Sequence, residues 1–241
     1  MTVDEHAESR PRVGNDVNRA HAALRTMILN LTLTPGRRIS LAEFEKLSGA
    51  GRTPLREALR MLEQEGLVTT APNRGITIAP FDLDDLDSLY AYRVAMESVA
   101  MRASTPLLTP EDFANIDQSV AEMTTAIEAA DNDEFEVAHR RFHDLFYVRL
   151  SDSVRERIRR DAERAERYRR LLILREGGTL SNAETEHHAI LEAARSGDGV
   201  LASQLLARHL ARLAFHVAVQ LDPTYEPAVT RMSLRLALAE S

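Results

Sequence analysis

The stretch from residue 37 to residue 78, RRISLAEFEKLSGAGRTPLREALRMLEQEGLVTTAPNRGITI, leaves this chain few folding choices. Ser40 followed three residues later by Glu43 has the spacing of a capping box, which opens a helix. Leu41, Phe44 and Leu47 then repeat at helical spacing and give that helix one apolar face. Ser48-Gly49-Ala50-Gly51 ends it, because glycine reaches the backbone angles a tight turn needs. Thr53 is the expected cap of a second helix, with Pro54 at its first position, where a missing N–H costs nothing. Leu55, Ala58, Leu59 and Leu62 form its inner stripe, and Gly66 closes it. Residues 67–70 and 76–78 read as two short strands, joined by the turn Pro72-Asn73-Arg74-Gly75. The sum is a helix, a turn, a helix and a two-stranded wing.

That arrangement leaves Arg52, Thr53, Arg56 and Arg60 at the start or on the outer side of the second helix. Arginines and a hydroxyl offered from a helix N-terminus suit entry into a DNA major groove. Arg74 stands at the wing tip beside Gly75, placed for a minor groove or the backbone. Arg37, Arg52, Thr53, Arg56, Arg60, Arg74 and Gly75 are the expected DNA-contacting set. The plain alternative is a small helical subdomain with a solvated charged face.

A net charge of −7 argues against DNA binding until it is divided. Residues 1–79 carry +2 and the remainder −9, so the acid lies in the second part and the local patch decides. Cysteine is absent, which excludes disulfides, thiolate metal ligands and cysteine catalysis. No apolar run is long enough to span a bilayer, and the polar start MTVDEHAESRPR does not read as a secretory signal. A cytoplasmic protein with no membrane partner is expected.

Length allows two domains. Residues 1–14 are expected as a disordered tail and 15–79 as the winged helix-turn-helix. Its first helix would run from 15 to 31, with Val17, Ala20, Leu24, Met27, Ile28 and Leu31 on one face. Residues 79–81 form a short linker. From 82 to 221 everything reads as helix, because glycines and prolines fall only between periodic segments. Helix starts are expected at Asp82, at Thr109-Pro110, near Asn132, at Ser151, at Ser181 with Glu184, and after Ser196-Gly197-Asp198-Gly199. Gly177-Gly178 breaks the arginine-rich fourth of these. Residues 222–241 form a tail or a short helix. The fold class is mainly α: an N-terminal winged helix-turn-helix followed by an all-helical bundle.

Histidines mark the second domain. His139 and His143 stand four residues apart and share a face with Phe135, Phe142 and Phe146. Of the adjacent pair His187 and His188, only one can face inward. His187 is in phase with Ile190, Leu191 and Ala194. His209 lies with Leu205, Leu206, Leu210 and Leu213. Neutral imidazoles suit a divalent transition metal, and four of them suit zinc, nickel or a similar ion. Scattered core histidines, each bonded to a neighbour, are the competing account. Arg93, in phase with Leu86, Leu89 and Tyr90, also points inward. It can pair with Glu97 four residues on, or hold a carboxylate ligand, for which guanidinium suits bidentate recognition.

GRTPLREALRMLEQEGLV followed by PNRG resembles the DNA-binding signature of the GntR family of transcriptional regulators. Ala50 and Gly51 stand where that family often has valine and serine. The helical part resembles the FCD domain of the FadR-like branch, in which an Asp-x-x-x-His pair and two later histidines often bind a metal. The resemblance places His143, His187 and His209 in that set, with His139 where aspartate is usual, and Arg93 facing an effector cavity. It implies a homodimeric, ligand-responsive regulator, more often a repressor. Such a regulator would bind a pseudo-palindromic double-stranded operator and sense a small carboxylate effector beside a divalent metal, zinc first. It does not imply an enzyme. A metal-dependent hydrolase is the rival, weakened by four protein ligands and by the lack of a clear general base. A purely structural metal is a third reading.

Overall fold

The computed structural model describes residues 10–71, 75–175 and 183–239. Its compactness divides the chain between Phe81 and Asp82. In the first unit, α1 (Arg10–Leu29), α2 (Leu41–Ser48) and α3 (Arg52–Gln64) accompany a three-stranded sheet of β1 (Arg38–Ile39), β2 (Val68–Ala71) and β3 (Gly75–Ile78). The sheet is antiparallel with β3 in the middle, and Val68 faces Ile78 while Ala71 faces Gly75. Leu24, Phe44, Leu55, Leu62 and Ile78 meet in one core and are fully buried. Each such apolar side chain contributes about 1.5–3 kcal/mol by leaving water.

Local chemistry explains the boundaries. Ser40 Oγ accepts from Glu43 N at 3.2 Å and caps α2. The Glu43 carboxylate turns to Arg37 at 2.5 Å, where the sequence pattern expects it to close the capping box. Gly49 (φ 65°) ends α2, and Gly66 (φ 71°) ends α3. Past that glycine Leu67 N donates to Leu62 O and Gly66 N to Glu63 O, which satisfies carbonyls the helix end leaves open.

The structure corrects four expectations here. Helix α1 begins at Arg10, so residues 10–14 of the expected tail are helical; Pro11 falls in the first turn, where it is tolerated. The same helix stops at Leu29, and Leu31 adopts φ 56°, so Leu29 and Leu33 fill the core in its place. Gly51, in extended conformation, takes the position expected of Thr53 as the cap of α3: its carbonyl accepts from Leu55 N at 3.0 Å, and Thr53 is left exposed. Pro54 then falls third, still among the amides that need no helical partner. Strand β1 was not expected, because two residues carry no readable alternation. The turn residues Pro72, Asn73 and Arg74, the break Gly177-Gly178 and the cap Ser181 lie outside the described residues.

The second unit contains α4 (Leu83–Ser104), a 3-10 turn at Thr105–Leu107, α5 (Pro110–Glu128), α6 (Asn132–Leu145), α7 (Asp152–Arg175), α8 (Ala183–Arg195), α9 (Gly199–Leu221) and α10 (Ala228–Ala239). Helix α4 packs against α7, α9 and α10; α5 packs against α6 and α8; α8 packs against α9. Asp82, Asp131 and Asp198 cap α4, α6 and α9, and Thr109 with Asp112 makes a full capping box on α5. Leu86, Val94, Met101, Ile116, Phe142, Phe146, Leu206 and Val217 are among the buried side chains. No helix among the described residues is long and apolar enough to cross a membrane.

Candidate nucleic-acid interface and metal centre

Helix α3 has two sides. Leu55, Ala58, Leu59 and Leu62 are buried. Arg52, Thr53, Arg56 and Arg60 are all exposed. Arg52 Nε leans on Glu45 at 3.1 Å and Arg60 on Glu57 at 3.5 Å, with the arginine side chains more than 70% exposed in both cases. Pairs this exposed contribute little stability and leave the arginines free to exchange partners. Arg37 is likewise exposed in its contact with Glu43. Gly75 opens β3 at φ 77°, a left-handed conformation that favours glycine; a Cβ there would only touch the Ile39 carbonyl at an ordinary 3.4 Å. Arg74 lies outside the described residues.

The four histidines converge. His139 and His143 of α6, His187 of α8 and His209 of α9 are all buried and can place one ring nitrogen each within 4.8 Å of the others. His139 Nε2 and His143 Nε2 are 3.2 Å apart. Two nitrogens sharing a zinc ion at 2.0–2.1 Å in tetrahedral geometry stand about 3.4 Å apart, so this pair is already close to the spacing an ion requires. His209 Nδ1 donates to Glu186 Oε2 at 2.7 Å, which fixes its tautomer and leaves Nε2 to the cluster. His139 Nδ1, His143 Nδ1 and His187 Nε2 are buried without a hydrogen-bond partner. His139 and His143 meet through Nε2, so of these three atoms only His187 Nε2 can serve as a ligand atom, and a core histidine satisfied by a neighbour would not leave it unpaired. Burial foremost, then the fields of neighbouring imidazoles and of Arg93 and Arg169, holds His139, His143 and His187 well below the usual histidine pKa. The donor set therefore fits a divalent ion. A recess lined by Val120, Met123, Phe135 and Glu184 reaches His187.

Charged side chains surround the cluster in matched pairs. Arg93 Nε meets Glu97 Oε1 at 2.7 Å, so the simpler of the two accounts of Arg93 is realised. The Tyr147 hydroxyl donates to the other oxygen of Glu97 at 3.3 Å. Arg169 meets Glu136 at 2.7 Å, and Arg170 meets Glu166 at 2.9 Å, all buried. The sequence pattern of α7, arginines alternating with acids, reads as a solvated face, and that holds for Arg157, Arg159, Arg160 and Arg175, whereas Arg169 and Arg170 are buried. Arg169 and Glu136 were missed because their partnership joins two helices and has no spacing in the sequence. Tyr90 was read only as a phase marker; its hydroxyl is buried with no partner.

A winged helix-turn-helix in the first unit and an all-helical second unit define the class of DNA-binding transcriptional regulators. Residues 17–78 match the family described as bacterial regulatory proteins, gntR family, and residues 88–212 match the FCD domain. The chain belongs to the GntR family and carries an FCD domain; it is a transcriptional regulator and not an enzyme. It is 30% identical over 189 residues, 78% of each chain, to an uncharacterized HTH-type transcriptional regulator in an unstable DNA locus of Streptomyces ambofaciens. It is 31% identical over 123 residues to the uncharacterized HTH-type transcriptional regulator YdhC of Bacillus subtilis (strain 168), spanning 51% of this chain and about half (55%) of that protein. Among solved structures, E. coli McbR/YncC shares the fold at a TM-score of 0.72 and 22% identity, over 86% of this chain and 99% of that one.

Proposed function

We propose that this regulator is a homodimeric repressor that senses a small organic acid at a metal ion. Residues 15–79 bind DNA, and the helical unit from residue 82 binds effector and forms the dimer. Each protomer places the N-terminal end of α3 in a major groove, with Arg52, Thr53, Arg56 and Arg60 toward bases and phosphates and Arg37, Arg74 and Gly75 toward the flanking backbone. A two-fold dimer reads a pseudo-palindromic operator. The observation that carries this half is the two-sided α3, buried on its leucines and exposed on its arginines.

In the helical unit His139, His143, His187 and His209 would hold a divalent ion, zinc before nickel, and Arg93 would face the effector. When bound, the ion supplies a Lewis acid that draws a carboxylate to the interior. The histidines orient it, Glu186 fixes the tautomer of His209, and Arg93 adds a positive field. Repression is relieved if the effector favours an arrangement of the heads that fits the operator poorly.

Binding of the full chain to DNA upstream of its own gene tests the first half. Arg56→Ala is expected to abolish salt-sensitive binding with the far-ultraviolet dichroism unchanged. Full binding by both Arg52→Ala and Arg56→Ala would remove α3 from the interface. Zinc analysis of the purified protein and of His187→Ala tests the second half, with one ion per protomer expected and its loss in the variant.

A further inference from the structure

The histidine cluster is closed off from solvent. His139, His143, His187 and His209 are between 2% and 5% exposed. Side chains in a protein interior are close-packed, so an ion reaches such a cluster only through a passage. The recess between α5, α6 and α8 is one. Its outer end is marked by the exposed Ile127 and Glu184, its inner end by the buried Met123, Phe135 and His187. It holds about 10 Å³ of open space, near the size of one water. An opening of that size admits an ion with few waters and excludes an organic acid.

The inner end touches the cluster from two helices. The Phe135 ring of α6 stacks on His139 with 5.6 Å between centroids. His187 of α8 is itself a cluster member, 5.1 Å from the His139 ring and 4.8 Å from the His209 ring. Its Nε2 is buried with no hydrogen-bond partner. The outer end carries a carboxylate in a particular state. Glu97 is taken up by Arg93, Glu136 by Arg169, Glu166 by Arg170 and Glu186 by His209 and Arg212. Glu184 only accepts from the Thr124 hydroxyl, at 3.0 Å, and pairs with no cation among the described residues. It stands one turn before His187 on α8, so the two share a face. The first turn of α8 gives Glu184 a structural use as well, since an acid there meets the positive end of the helix dipole.

We infer that this recess is the entrance for the metal ion, with Glu184 collecting the hydrated ion at the mouth and His187 the first imidazole to take it. This rests on the metal reading above and adds a route to it. An uncompensated carboxylate raises the local concentration of a cation, and its oxygen replaces a water that the ion must shed before it enters. The imidazoles inside bind a transition metal better than a lone carboxylate does, so the ion moves inward. Glu184 is not among the four residues that converge on the final site. It therefore lowers the barrier for entry and exit alike and leaves the equilibrium affinity unchanged.

The test is the kinetics of Zn²⁺ uptake by the metal-free full chain, followed by stopped flow with a zinc indicator, and of Zn²⁺ loss to excess chelator. Glu184→Gln is expected to slow uptake by about tenfold, the low end of what local charge adds to an on-rate. It should slow loss by the same factor, with the Zn²⁺ affinity and the metal-free melting temperature of wild type. Glu184→Asp keeps the charge and should keep most of the rate. Ile127→Trp narrows the mouth and should slow both directions, whereas Val137→Trp, at an exposed position of α6 outside the recess, should slow neither. Wild-type rates in Glu184→Gln would overturn the collecting role, and so would weakened affinity with uptake unchanged, which is what a merely structural acid gives. Wild-type rates in Ile127→Trp would overturn the route while leaving the metal site standing. Failure of the wild-type chain to bind stoichiometric Zn²⁺ would overturn the metal reading itself.

Discussion

Burial holds His139, His143 and His187 neutral in the folded chain, and that has a consequence for the metal-free protein. Each has a pKa well below the usual 6.5, through desolvation first and then the fields of neighbouring imidazoles and arginines. In the unfolded chain the same groups take a proton near 6.5. Between that value and the lower folded one, the unfolded state binds more protons, so stability rises with pH. It is fully present above about 6.5 and is lost as pH falls below it, by up to about 1.4 kcal/mol per pH unit for each histidine. Urea midpoints of chelator-treated protein should therefore drop between neutral and mildly acid pH, and His143→Gln should flatten the drop. A midpoint indifferent to pH would mean that these imidazoles are wetter than their burial implies. At this scale the sequence was legible wherever periodicity speaks: the phases of His139, His143, His187 and His209 put all four inside, and all four are inside. It was silent where two helices meet. Nothing near Arg169 in the chain points to Glu136, and nothing near Tyr90 shows that its hydroxyl would lack a partner.

The elements show the same division between local and distant causes. Helices α4, α5, α6 and α9 begin where short polar residues announce a cap, because each cap bonds within three residues of itself. The last helix has no such announcement, and residues 222–241 could be read as tail or helix alike. Its start is held from 142 residues away: the buried Asp87 on α4 accepts from Val229 N at 3.0 Å and from Thr230 N at 2.7 Å, and the Thr230 hydroxyl bonds back to the Asp87 carbonyl. A carboxylate at a helix N-terminus satisfies open amides and meets the positive end of the dipole. Asp87→Ala removes both, and leaves the buried Thr230 amide and the half-buried Val229 amide without acceptors. A loss of about 1–2 kcal/mol is expected, typical of a cap, concentrated in α10. Hydrogen exchange checks it: amides of α10 should exchange faster in the variant while those of α5 and α6 do not. Uniform acceleration across all helices would show α10 to be part of one cooperative unit with them.

For the whole molecule the decisive quantity is a coupling between two units that carry opposite charge, +2 up to residue 79 and −9 after it. The acidic helical part gains nothing from a polyanion, so DNA affinity must come from the arginines of the head, and its salt dependence reports how many phosphates they neutralise. Any influence of the interior on that affinity is a free-energy difference between two arrangements, and binding linkage makes it mutual. If loading the histidine cluster with Zn²⁺ weakens operator binding by some factor, commonly about 5–150-fold, saturating operator must weaken Zn²⁺ binding by the same factor. The two measurements share no instrument and no labelled site, so agreement between them is a strict test. Arg56→Ala should break the second effect while leaving Zn²⁺ affinity without DNA unchanged, since it removes the partner and not the pocket. If operator DNA leaves Zn²⁺ affinity untouched even though Zn²⁺ binds stoichiometrically, the ion holds the helices together and sends no signal. Chelation would then lower the melting temperature with DNA affinity at a common temperature unaltered.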